Sequence, residues 1–199
     1  MVNNHYVGWA RRFNVAENAN RFFVITGGPG SGKTTLINAL EHAGYMRTIE
    51  AGRVVIQRQL SMRGNALPWG DRIRFAELML AWEICSYQMA VNGEGAVFFD
   101  RGVPDVLGYL RFIGEAIPEH MERAAKQFRY NRHVFIVPPW QEIFHQDPER
   151  KQDFAEAVRT YRAMIATYSQ FEYELVEIPR APVAERMQFV IDHIRSELE

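Results

Sequence analysis

The chain has 199 residues, which is enough for one domain with a substantial core. Hydrophobic residues make up 47%, charged residues 24%, and the formal net charge is −1, so we expect a globular protein with no nucleic-acid partner. The first twenty residues contain no apolar run, and no stretch reaches the roughly 20 apolar residues of a membrane span. We therefore expect a cytoplasmic protein. The single cysteine, Cys85, excludes an intramolecular disulfide, and we expect its side chain to be buried.

Short apolar segments alternate with longer amphipathic ones. The apolar segments predict strands at 21–26, 45–50, 96–100, 133–137 and 173–178. The remaining segments predict helices at 32–43, 53–63, 71–91, 118–130, 152–170 and 183–198, of which 71–91 is apolar almost all round and should be largely buried. The pattern predicts an α/β domain at 21–199 with a doubly wound, five-stranded parallel sheet, preceded by an N-terminal arm at 1–20.

A glycine-rich motif of the form G-x-x-x-x-G-K-T follows the first predicted strand and opens a helix. Glycines permit the tight loop whose backbone N–H groups face phosphates, and the helix N-terminus adds a partial positive charge. We expect Lys33 to reach the β- and γ-phosphates and the Thr34 hydroxyl to ligate Mg²⁺. The motif predicts binding of ATP with Mg²⁺ through Gly28, Pro29, Gly30, Ser31, Gly32, Lys33, Thr34 and Thr35.

An acidic residue, Asp100, ends the third predicted strand. There it can hold Mg²⁺ as a second ligand, although a helix-capping or turn aspartate is the alternative. Arg101 follows at the place where many ATP-hydrolysing motors have a glutamate. Because an arginine can stabilise the charge of a transferring phosphoryl group, the pair favours transfer to a bound acceptor over motor-type hydrolysis.

Three further side chains are candidates for the same site. Glu50 ends the second predicted strand and can accept a proton from an attacking hydroxyl, the alternative being a capping residue or a partner of Arg53. The polar segment 141–153 predicts a short lid whose Arg150 closes over the phosphates with Lys151 behind it, the alternative being a solvated charged loop. Arg180 follows the last strand, where such sheets often hold the nucleotide base, the alternative being an ordinary loop.

From about residue 20 to 196, the chain resembles the predicted-ATPase family that includes the nicotinamide riboside kinase module of NadR-type proteins. That family lies within the nucleoside and nucleotide kinase-like P-loop proteins. The resemblance depends on segments 23–35, 50–53, 98–102, 134–140 and 173–179. It implies a kinase-like strand order 2-3-1-4-5, with Glu50 as the base and Arg101 on the acceptor or the phosphates.

We interpret the chain as an ATP- and Mg²⁺-dependent kinase of a small, hydroxyl-bearing, nucleoside-like acceptor. One alternative is a nucleotide-binding regulatory ATPase or GTPase-like switch with a macromolecular or lipid partner. Guanine recognition would need an N-K-x-D element, which is absent, and the lone D-x-x-G match begins at Asp105. A third possibility is an interaction protein whose nucleotide is only structural. The sequence does not identify the acceptor or the oligomeric state.

Overall fold

The computed structural model of the chain describes residues 18–144 and 153–198. Nearly all of the predicted N-terminal arm lies outside the described residues. Arg150 and Lys151 of the predicted lid also lie outside them. The described part of the lid contains a 3₁₀ turn, Gln141–Ile143.

The strands form one parallel sheet in the order β2-β3-β1-β4-β5. Their bounds are β1 Phe22–Gly27, β2 Met46–Arg47, β3 Val97–Asp100, β4 His133–Val137 and β5 Glu174–Glu177. Ile25 of β1 is opposite Asp100 on one side and Phe135 on the other. The carboxyl ends of these three strands are therefore level, which brings the residues that follow them to one edge of the sheet. The predicted fold class and strand order are confirmed.

Helices cover both faces of the sheet. They are α1 Lys33–His42, α2 Ala51–Ser61, α3 Arg72–Val91, α4 Val103–Phe112, α5 Glu119–Gln127, α6 Phe154–Gln170 and α7 Val183–Leu198. Alternate residues of β1 point into two separate cores: Phe23 and Ile25 pack with α1 and α7, whereas Phe22 and Val24 pack with the helices from α2 to α6. Each core is made of fully buried apolar side chains, so both faces of the central strands are dry.

Helix α4 was not among the predicted elements. Pro104 occupies its first turn, where a missing N–H needs no partner. Gly108 lies against α6, since a Cβ there would be 2.5 Å from the Sδ of Met164. Pro104 and Gly108 weaken the helical pattern in the sequence, but in the structure Pro104 starts α4 and Gly108 lets α4 approach α6 closely.

The second strand is shorter than the predicted 45–50. Beyond β2, the Thr48 N–H still donates to the Phe98 carbonyl at 2.9 Å, but the chain then turns into α2, with Glu50 as the residue before the helix. β2 is an edge strand that pairs only with β3 in the described sheet, so backbone hydrogen bonds on one side alone keep the chain extended there. Glu50 is consequently a helix-start residue rather than a strand residue.

The prediction that segment 71–91 is largely buried holds for one face only. Helix α3 buries one face, which includes Phe75, Met79, Glu83 and Tyr87, because it packs on α2 and α4 from one side only. Met89 is 72% exposed on the other side. Cys85 is also exposed, contrary to our expectation. Among the described residues, no helix is long and apolar enough to cross a membrane.

Candidate active site

The loop between β1 and α1 is built on glycine conformations. Gly27, Gly30 and Gly32 have φ angles of 132°, 65° and 82°, a region that other residues rarely adopt. A Cβ on Gly27 would also lie 2.4 Å from the Val137 carbonyl oxygen of β4. Only glycine fits this position. The loop therefore sits tightly against the sheet and leads directly into the N-terminus of α1.

The ammonium group of Lys33 is folded back over this loop. Its Nζ donates to the carbonyl oxygens of Gly28, at 2.5 Å, and Gly27, at 3.2 Å, and the residue is only 7% exposed. The next residues, Thr34 and Thr35, are exposed. A buried cation, a helix N-terminus and exposed hydroxyls together make an anion-binding concavity of the kind that holds nucleotide phosphates.

At the end of β3, Asp100 is 5% exposed, and its Oδ1 has no hydrogen-bond partner among the described residues. Its backbone N–H donates to the Thr48 hydroxyl at 3.2 Å. Burial and then the carboxylate of Glu50 raise the pKa of Asp100 from 3.8 to about 6, against the opposing effect of Lys33. Asp100 Oδ1 is thus a buried carboxylate oxygen without a hydrogen-bond partner, and the Thr34 hydroxyl belongs to the nearby phosphate loop. These two oxygen donors fit a hard cation such as Mg²⁺.

Arg101 links the ends of three elements. Its Nε donates to Glu50 Oε1 at 3.2 Å, and its Nη1 donates to Asp105 Oδ1 at 3.1 Å. Burial disfavours its charge, but Glu50, Asp105 and Asp100 together raise the pKa of Arg101, so the guanidinium stays charged. The backbone of Arg101 has φ 74°, a left-handed conformation that costs a non-glycine residue about 1–3 kcal/mol.

Glu50 lies within reach of both arginines that the sequence places near it. It is 9% exposed, and in addition to its bond with Arg101 its Oε2 is 3.9 Å from the Nε of Arg53. The pairing with Arg53 is therefore present, but it is the longer of the two contacts. Glu50 also lines a cavity that includes Pro29 of the phosphate loop, so the carboxylate and the loop border the same cavity.

Asp105, at which the D-x-x-G match begins, is a site residue that was not among the predicted site residues. It is 5% exposed and accepts hydrogen bonds from the Thr26 hydroxyl at 2.5 Å, the Gly102 N–H at 2.9 Å, Arg101 and the Tyr168 hydroxyl. The D-x-x-G match at this residue is thus a buried anchor in the first turn of α4 rather than a switch motif. Its spacing of four from Arg101 was the signal that could have found it.

The cavity has a volume of about 150 Å³ and extends between α2, α3, α4 and α6. Its polar end includes Glu50, Arg101 and Asp105, with Pro29 of the phosphate loop at the boundary. Its walls are mainly apolar and include Ile56, Phe75, Met79, Tyr109, Phe112 and Met164. A largely apolar cavity with convergent polar groups at one end is the usual form of a small-molecule site.

The remaining predicted residue, Arg180, is exposed, and its Nε donates to the Pro139 carbonyl at 3.2 Å in the segment after β4. A different arginine approaches the phosphate loop from the last helix. Arg186 is 4% exposed, and its Nη1 lies 3.5 Å from the Ser31 carbonyl oxygen. A Cβ on Gly32 would lie 2.9 Å from the same Nη1. No sequence pattern distinguished Arg186 from the other arginines of the chain.

The sequence profile of the AAA domain family AAA_28 matches residues 22–186, which include the phosphate loop, Glu50, Asp100 and Arg101. The chain belongs to this AAA domain family. No curated protein sequence matched this AAA domain.

Solved structures share the fold of this AAA domain. The deoxyadenosine kinase from M. mycoides with bound dATP superposes with a TM-score of 0.61 at 12% identity, covering 88% of this chain and 99% of that one. A structure of the same kinase with bound products gives 0.62 at 13% identity and the same coverage. The NadR protein in complex with NR gives 0.66 at 14% identity, covering 98% of this chain but 59% of NadR. At these identities the likeness establishes a P-loop kinase fold.

Proposed function

We propose that this AAA domain is an ATP- and Mg²⁺-dependent kinase that transfers the γ-phosphoryl group of ATP to a hydroxyl of a small, nucleoside-like acceptor. The observation that carries the proposal is the position of Glu50. Its carboxylate lines a largely apolar cavity that also includes Pro29 of the phosphate loop, and it is held by Arg101. A motor-type hydrolase needs a water beside the γ-phosphate, whereas this arrangement offers a carboxylate and a cavity for a second substrate.

In this proposal, the loop N–H groups and Lys33 hold the phosphates of ATP, and the acceptor occupies the cavity. The acceptor oxygen attacks the γ-phosphorus, its proton passes to Glu50, and the bond to the β-phosphate oxygen breaks to release ADP. Arg101 and Lys33 stabilise the charge on the transferring group. Thr34 and Asp100 would hold Mg²⁺, which neutralises phosphate charge when bound.

The nucleotide and acceptor classes are supported by the kinases that share the fold, one solved with dATP and one with NR. The regulatory-switch alternative predicts a different kinetic behaviour. A switch hydrolyses ATP slowly at a rate that no small acceptor changes, whereas a kinase releases ADP faster when its acceptor is present.

The test is ADP release from Mg-ATP by the purified protein, alone and with each member of a panel of nucleosides and nicotinamide riboside. We expect one or more acceptors to accelerate release, and the Lys33→Ala variant to lose about a hundredfold or more of that rate. Lys126→Ala, which changes an exposed lysine on α5, is the matched control and should behave as the wild type. Slow release that no acceptor changes would reject the kinase and favour the switch.

A further inference from the structure

Several buried polar atoms around the cavity lack hydrogen-bond partners. Among the described residues, Glu83 Oε2, the Tyr109 hydroxyl and Thr160 Oγ1 have none. All three residues line the same cavity, from α3, α4 and α6 respectively. Because a buried polar atom without a partner destabilises the folded protein, a cluster of three in one cavity indicates that a ligand supplies the missing hydrogen bonds.

Glu83 is the most deeply placed of these groups. It is 2% exposed, and it comes from the buried face of α3 with Phe75 and Met79 beside it along the cavity wall. Burial, and then the carboxylates of Asp105 and Asp100, raise the pKa of Glu83 well above 4.5. These surroundings favour the protonated carboxyl group, which presents an O–H donor beside a C=O acceptor.

A donor and an acceptor side by side match a particular chemical edge. A lactam presents N–H and C=O, an amidine presents a ring nitrogen and NH₂, and a carboxamide presents both on one group. Nucleoside bases carry such edges on flat rings. The aromatic walls suit a flat ring, since Phe75 and Tyr109 pack edge to face with centroids 5.5 Å apart and both line the cavity.

The charge of the lining excludes another class of acceptor. The described residues that line the cavity include four acidic side chains, Glu50, Glu83, Asp105 and Glu156, and one cation, Arg101. That cation is already paired with Glu50 and Asp105. A phosphate carried by the incoming acceptor would therefore meet more carboxylates than cations, and it would compete with Glu50 and Asp105 for Arg101, which is unfavourable in a partly dry cavity.

We propose that Glu83 selects the acceptor by hydrogen-bonding the amide- or amidine-like edge of a nucleoside base, and that the cavity takes nucleosides and rejects nucleotides. The assignment rests on the proposed function in one respect, namely that the cavity is the acceptor site. In this proposal Glu83 is a specificity residue, since it lines the acceptor cavity from α3 and is not part of the phosphate loop.

The test is equilibrium binding by calorimetry, which does not depend on turnover. Adenosine, inosine, cytidine and nicotinamide riboside, each with such an edge, are compared with their 5′-monophosphates. The tightest nucleoside is also compared with its analogue lacking the exocyclic group, such as purine riboside for adenosine or inosine. We expect the wild type to prefer the nucleoside to its monophosphate and to the analogue by about tenfold or more.

Two substitutions at Glu83 isolate its role. Glu83→Gln keeps a donor beside an acceptor and should retain both preferences, whereas Glu83→Leu should bind the nucleoside about tenfold or more weakly and lose its preference over the analogue. Glu77→Leu, on the exposed side of α3, is the matched control. Unchanged binding of Mg-ADP by each variant shows that the fold is intact.

The outcomes separate this inference from the proposed function. Nucleoside binding that depends on Glu83, without acceptor-dependent ADP release, supports the inference and rejects the kinase. Acceptor-dependent ADP release with an unchanged KM for the acceptor in Glu83→Leu rejects the inference and supports the kinase. A monophosphate that binds as tightly as its nucleoside, or no binding by any nucleoside in the panel, also overturns the inference.

Discussion

At the scale of single residues, the candidate site depends on buried charges that constrain one another. Arg101 is charged because three carboxylates surround it, and two of these, Glu50 and Asp105, are fixed in turn by their bonds to it. Neither Glu50 nor Asp105 is more than 9% exposed. A change at any one of them leaves another charge buried without its partner, so these residues should tolerate substitution poorly.

The first prediction concerns Asp105. Asp105→Asn replaces a carboxylate oxygen that accepts hydrogen bonds with an NH₂ group that faces donors, and it removes the charge that pairs with Arg101. We expect a loss of about 3–5 kcal/mol in the free energy of unfolding, measured by urea denaturation. Asp192→Asn, on the exposed side of α7, should change it by less than about 0.5 kcal/mol. A loss below about 1 kcal/mol for Asp105→Asn would show that the network is not coupled.

The second prediction uses the charge state of Glu83 in the absence of ligands. Since burial raises its pKa above 4.5, the folded protein holds this proton more tightly than the unfolded chain does. The stabilising effect is complete below about pH 4.5 and is lost as the pH rises through the raised pKa, with a slope of at most about 1.4 kcal/mol per pH unit.

Glu83→Gln has no proton to lose. We therefore expect the variant to gain stability relative to the wild type as the pH rises from about 5 to about 8, measured as the difference in their free energies of unfolding. A difference that stays constant across this range would mean that Glu83 titrates as an ordinary carboxylate.

At the scale of elements, the phosphate loop is fixed by backbone contacts that only glycine permits. Gly27→Ala adds a Cβ 2.4 Å from the Val137 carbonyl oxygen and forces an unfavourable φ. Gly95→Ala forces a φ of 71°, near the left-handed helical region, but meets no atom within 4 Å. We expect Gly95→Ala to cost about 1 kcal/mol of stability and Gly27→Ala about 2 kcal/mol more, with weaker Mg-ADP binding in Gly27→Ala alone. Equal costs would show that the loop can move away from β4.

Much of the element-level structure is determined by local sequence. The continuous apolar runs specified parallel strands, and the level carboxyl ends of these strands brought the phosphate loop, Asp100 and Glu50 to one edge, as the pattern predicted. Helix α4 was missed because Pro104 and Gly108 weaken a helical pattern unless the partners of the helix are known. The cavity could not be predicted either, since its walls come from four helices whose mutual packing cannot be inferred from any single segment.

At the scale of the whole molecule, the sheet separates two cores that share no side chain. Ile37 of α1 lies in one core and Ile56 of α2 in the other, and both are fully buried. We expect Ile37→Val and Ile56→Val each to lower the free energy of unfolding by about 0.5–1.5 kcal/mol, and the double variant to show their sum within about 0.5 kcal/mol.

Both substitutions should shift the same cooperative transition, because the strands β1, β3 and β4 contribute to both cores. Urea unfolding followed by circular dichroism and by tryptophan fluorescence provides the two probes. Separate transitions would show that the two sides of the sheet unfold independently, whereas a double variant that departs strongly from the sum would show that the two cores are coupled.

The left-handed backbone of Arg101 has a consequence for how this sequence can change over evolutionary time. Glycine would adopt φ 74° without strain, but loss of the guanidinium alone would leave Glu50 and Asp105 buried without their partner. A single change of Arg101 to glycine therefore lowers stability while both carboxylates remain. A descendant lineage that keeps the fold but abandons the activity should replace Glu50, Arg101 and Asp105 as a set, with glycine or asparagine at position 101, while lineages under selection for the activity retain all three residues.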